Sequence, residues 1–129
     1  MKDELKNEII EDFDRAKNAF ASAKRNFEEE DMFTAANRSF VACENAVYAC
    51  MKLKFGGTTI SRKRIILKIH SISPIMMELY ERSYDLRVQA DYGRKSKNVE
   101  FTQLSPLFMT TAKNIHDFFL LFSHRTRSF

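Results

Sequence analysis

Glycine and proline are nearly missing from this chain. With 3 glycines and 2 prolines in 129 residues, few points allow a positive φ or a sharp stop, so long helices with few connections are favoured and an all-β fold is hard to build. Tryptophan is absent. No apolar run approaches the roughly 20 residues that a membrane-spanning helix needs, and "MKDELKNEII" lacks the apolar core of a signal peptide. The expectation is a cytoplasmic chain with no membrane partner. The two cysteines, Cys43 and Cys50, would sit on one helix with α-carbons about 10 Å apart, beyond disulfide reach. Reduced, half-buried thiols fit a reducing compartment.

What is present is large and apolar or charged. There are 12 phenylalanines, and the chain is the size of one domain spanning residues 1–129. Charge is uneven. Residues 1–31 hold 10 acids and 6 bases, a net of −4, whereas residues 32–129 hold 7 acids and 15 bases, a net of +8. The bases gather in "SRKRIILK" and "RVQADYGRKSK". Such clusters can draw phosphates through their summed field, and a solvated face has the same composition.

Apolar spacing predicts the helices. Leu5, Ile9, Phe13, Ala16, Phe20, Ala23 and Phe27 recur every three or four residues, one stripe on a helix of about 27 residues. "EEED" closes it, and Asp31 can cap the next helix. That second helix carries Phe33, Ala36, Phe40, Cys43, Val47 and Cys50, and its many alanines allow a close neighbour, as a central helix requires. Gly56 and Gly57 can end it in the left-handed region. A short helix is predicted from Ser61 to His70. Pro74 then opens a helix running to about Ala90, and Gly93 begins an exposed loop. A last helix is predicted from near Thr102 or Ser105, with Leu107, Phe108, Thr111, Ile115, Phe118, Phe119 and Phe122 inward. The fold class expected is all-α: an antiparallel up-and-down bundle of four long helices plus one short helix. Spare aromatic surface on the last helix and tail would suit a homodimer.

The three histidines (His70, His116, His124) lie on two helices and a tail, a poor start for a metal site, and no cofactor or metal is expected. "FGGTT" has neither the lysine nor the spacing of a phosphate loop. Arg87 and Asp91 are different. They stand four apart on a helix and can pair, with Tyr92 and Gly93 where that helix ends. Arg64 and His70 are six apart, which turns a regular helix by about 240° and points them away from each other. Glu44 lies beside the apolar stripe of the second helix, where a lone carboxylate is costly. It needs a partner, and Arg87 and Arg38 are the candidates.

"DRAKNAFASAKRNFEEEDMFTAA", then "NRSFVACENAVYAC", then "YDLRVQADYG" follow one another in an order that resembles the HEPN domain (higher eukaryotes and prokaryotes nucleotide-binding). Within that family the likeness is to small stand-alone prokaryotic members, whose recurring pattern is an arginine, two variable residues, then Ala-Asp-Tyr. It spans roughly residues 8–120. The resemblance implies a helical bundle that commonly dimerises, with polar groups of both protomers in a cleft. Many members are metal-independent ribonucleases, among them toxins held in check by a minimal nucleotidyltransferase partner. Others bind nucleotides or RNA without catalysis, or serve as interaction subunits.

In catalytic members a histidine follows the arginine by four to six residues, and a base near an arginine suits attack by the ribose 2′-hydroxyl on phosphorus. Here that place is held by Asp91, Tyr92 and Gly93. An aspartate with its ordinary pKa of about 4 is charged at neutral pH and would repel the phosphate that Arg87 attracts. The resemblance therefore implies RNA or nucleotide phosphate binding through Arg87, Arg94, Lys95 and Lys97, with no specific recognition of DNA. Arg87, Asp91 and His70 are the groups available for catalysis, and Arg38, Glu44 and Tyr92 the supporting ones.

Overall fold

The computed structural model describes residues 3–57 and 61–92, with 91 and 92 as backbone only. Among the described residues there are four helices and no strand: α1 (Asp3–Glu28), α2 (Met32–Phe55), α3 (Arg62–Ile72) and α4 (Pro74–Tyr92). Three are long and α3 is short. The predicted last helix, with its phenylalanine stripe, lies outside the described residues.

The helix ends follow from local chemistry. Asp3 and Glu4 stand in the first turn of α1 and Arg25 in its last, the charge order that the helix dipole favours. Past the end of α1, Asp31 N–H donates to the Asn26 carbonyl (2.8 Å) and Glu30 N–H to the Phe27 carbonyl (3.1 Å). This paired closure needs a left-handed residue, and Glu30 supplies it at φ 64 without being glycine. The Asp31 side chain then accepts from Thr34 N–H (3.2 Å) and starts α2. Gly56 ends α2 at φ 77, its N–H donating to the Lys52 carbonyl. Ser61 caps α3, and the Ser73 hydroxyl accepts from Met76 N–H (3.3 Å) one residue before Pro74 opens α4.

α1 and α2 form an antiparallel pair. Ile9 and Phe13 pack with Ala49, Ala16 and Ala19 with Ala42 and Ala46, and Ala23 with Ala35 and Ala36, so the partner position falls as α1 advances. The alanine contacts bring the two backbones close. The opposite side of α2 (Phe40, Cys43, Val47, Met51) meets Ile65 and Ile69 of α3 and Met76, Leu79, Tyr80 and Leu86 of α4. α2 is thus buried on two sides, which is why its sequence is apolar nearly all round. Phe40 is the largest fully buried side chain of α2, and truncating it to alanine would cost about 3–5 kcal/mol.

Two details depart from the stripes read in sequence. Phe33 is 61% exposed and does not join the core. Asp12, which lies outside the apolar stripe of α1, is buried, with its Oδ2 2.8 Å from Lys52 Nζ of α2 and its Oδ1 3.5 Å from Arg15. Periodicity of apolar residues cannot reveal such a pair, because both members are coded as polar.

Candidate functional site

Phe40, Glu44 and Tyr48 are spaced by four along α2, and Tyr80, Tyr84 and Arg87 by four and three along α4, so each set lines one side of its helix. The two rows meet. The Phe40 ring lies 5.6 Å from both Tyr80 and Tyr84, tilted to the first and edge-on to the second, arrangements favoured by the ring quadrupole. The Arg87 guanidinium stands over Phe40 at 5.1 Å from the ring centre, and Arg62 of α3 over Tyr84 at 3.9 Å. Both cations are positioned by aromatic faces.

Glu44 is half-buried among these groups. Burial pushes its carboxyl above the ordinary value. A hydrogen bond donated by the Tyr48 hydroxyl and the positive charge of Arg87 pull it back only in part. Tyr48 is pushed up to about 12, first by burial and then by the Glu44 charge. Tyr80 is likewise raised to about 12, chiefly by burial, with Glu44 adding to it and Arg62 opposing. Both phenols therefore keep their protons at neutral pH. The cluster holds a carboxyl ready to take up a proton, two phenolic donors and two guanidinium groups.

The remaining sequence candidates are distributed as follows. Arg38 is half-buried on α2, two positions before Phe40, and the guanidinium whose charge acts on Glu44 is that of Arg87. His70 is exposed near the end of α3. Because Arg62 lies on Tyr84, the start of α3 adjoins the Glu44 and Arg87 cluster, whereas His70 stands about 12 Å further along that helix. Residues 91 and 92 continue the backbone of α4 one turn beyond Arg87. The side chains of Asp91 and Tyr92, and all of Arg94, Lys95 and Lys97, lie outside the described residues. No group of three or more potential metal ligands occurs among the described residues.

Sequence reasoning did not single out Tyr48, Tyr80, Phe40 or Arg62 for this cluster. Spacing was the usable signal for three of them. Tyr48 follows Glu44, and Tyr84 follows Tyr80, by one helical turn, and the aromatic groups of both helices recur on that period. Arg62 reaches the cluster only through the packing of α3 on α4, which local sequence does not encode.

Cys43 and Cys50 are free, buried thiols. Burial raises each to about 12, so neither is a nucleophile at neutral pH. No helix among the described residues is long and apolar enough to cross a membrane. Compared with known proteins, the chain matches no family model and no curated sequence.

Proposed function

We propose that this chain is a HEPN-like domain that binds RNA or nucleotide phosphates, with Arg87 as the phosphate anchor. One observation carries the reading. Arg87 is held over the Phe40 ring on the side of α4 that meets α2, beside Arg62 and next to a carboxyl that burial pushes toward the neutral form. A guanidinium placed in this way has little freedom left to lose on binding, and its planar fork matches phosphate oxygens. Arg94, Lys95 and Lys97 follow Arg87 closely in sequence and add positive charge to the same reading. In its full form the reading is an antiparallel up-and-down bundle of four long helices and a short one, cytoplasmic and homodimeric. A minimal nucleotidyltransferase is its partner in a toxin-antitoxin-like system.

Thermal stability in the presence of ligand tests it. RNA or mononucleotide should raise the melting temperature of the wild-type protein as concentration passes the dissociation constant, and Arg87→Gln should remove most of that rise. A melting curve that no RNA or nucleotide shifts would count against the reading.

A second reading, metal-independent RNA cleavage, is favoured by one specific feature. Glu44 is a carboxyl that feels the Arg87 charge and has a raised pKa, and a base whose pKa moves toward the working pH transfers protons more effectively. In that reading Glu44 would take the proton of the 2′-hydroxyl and Arg87 would stabilise charge on phosphorus. Cleavage of RNA in the presence of a chelator, lost in both Glu44→Gln and Arg87→Gln, is the expected outcome. Retained cleavage in Glu44→Gln assigns the proton transfer elsewhere.

A further inference from the structure

From Asn45 to Met77 the chain contains no aspartate or glutamate, while it carries Lys52, Lys54, Arg62, Lys63, Arg64 and Lys68. Lys52 is neutralised by Asp12 and Arg62 is turned onto Tyr84. The other four stand on α3 and at the end of α2. Lys54, Lys63 and Arg64 are exposed, and Lys68 reaches back from α3 to lie over the Phe55 ring at the end of α2, 5.4 Å from its centre. Arg64 and Lys68 are one turn apart and so share a side of α3. Phe55 itself stays 43% exposed.

Folding does not account for this pattern. Arg62, Lys63 and Arg64 occupy the first turn of α3, which has no acid, and cations at a helix N-terminus oppose its dipole. The sequence therefore places like charges together where they weaken the helix that bears them. An anionic partner reverses that balance, and an accessible aromatic ring within a field of cations is the arrangement that takes unpaired bases.

We propose that the outer side of α3, with Lys54 and Phe55 of α2, holds single-stranded RNA, its phosphates on Lys54, Lys63, Arg64 and Lys68 and a base on the Phe55 ring. This deepens the phosphate-binding reading above and rests on it. It adds a second contact region, on the α3 side of the Arg87 cluster, so that one strand is held at several successive phosphates.

The test uses the full chain and a fluorescein-labelled oligouridine of about a dozen nucleotides. The triple variant Lys63→Glu, Arg64→Glu, Lys68→Glu should lose at least about tenfold in affinity, and its log–log salt slope should become shallower by about two, as expected for three lost phosphate contacts on a single strand. The double variant Lys63→Glu, Arg64→Glu should melt no lower than wild type, because acids suit the start of α3. The neutral triple variant with glutamine at the same positions should lose affinity in the same direction. Phe55→Ala should weaken oligouridine about tenfold and leave duplex RNA unaffected, since paired bases cannot stack on the ring. Wild-type affinity in both triple variants overturns the proposal, as does Phe55→Ala without effect on the single strand. Binding to phosphatidylserine vesicles with no binding to oligouridine would make this a lipid-facing surface and overturns it too. Loss of binding in the triple variants with none in Arg87→Gln removes the Arg87 anchor and leaves this face standing; the reverse result removes this face alone.

Discussion

Glu44 of α2 and Arg87 of α4 attract each other across the helix interface, yet the attraction is smaller than the cost of burying the carboxylate, so the Glu44 pKa remains raised. A charge is being held where the protein solvates it less well than water does.

Replacing Glu44 by glutamine should therefore stabilise the protein at neutral pH. The folded state binds the Glu44 proton more tightly than the unfolded chain does. Its contribution is thus fully present below the ordinary carboxylate value of 4.5 and is lost as pH rises through the higher folded value. Melting temperatures of wild type and Glu44→Gln should converge near pH 4 and diverge toward pH 7 with the variant higher. A variant that is less stable at pH 7 would show that the Tyr48 and Arg87 contacts outweigh burial.

The Asp12 and Lys52 pair makes the opposite forecast. Asp12→Ala leaves the Lys52 side chain, only 16% exposed, without its counter-charge. A loss of about 3 kcal/mol is expected from chemical denaturation, whereas the double variant Asp12→Leu, Lys52→Met should recover most of it. Additive losses in the double variant would rule out a coupled pair.

Glu30 is the one described non-glycine residue at positive φ. Glycine there removes a steric cost of about 1 kcal/mol, so Glu30→Gly should raise the melting temperature by a few degrees while circular dichroism stays unchanged. A lower melting temperature would mean that the side chain contributes more than the backbone loses.

Cys43 and Cys50 should resist iodoacetamide at pH 8 in the folded protein and react promptly once denaturant is added. Labelling of either in the folded state would contradict their burial.

Much of the helical frame was legible in the sequence because it depends on local rules. The Asp31 cap, Gly56 at the end of α2 and Pro74 at the start of α4 each act through their own backbone neighbours, and the α1 stripe from Ile9 to Ala23 is a matter of period. The candidate site was less so. Glu44 was recognisable as a carboxylate needing a partner, and Arg87 as one of two choices. The rings that position Arg87 and Arg62 become visible only when α2, α3 and α4 pack together. The burial of Asp12 is hidden for the same reason, since a charge beside the apolar stripe of one helix can lie on the inner face of a pair. The "RVQADYG" stretch marks the family resemblance, and packing ties its Arg87 to the Phe40 ring of the cluster.

Equilibrium binding of labelled RNA by wild type and Arg87→Gln across a salt series measures the part that Arg87 plays as phosphate anchor. Wild type should bind, with affinity falling steeply as salt rises, and Arg87→Gln should weaken binding about tenfold with a slope shallower by about 0.7, the loss of one phosphate contact. No binding at low salt, or superimposable curves for the two proteins, would contradict it.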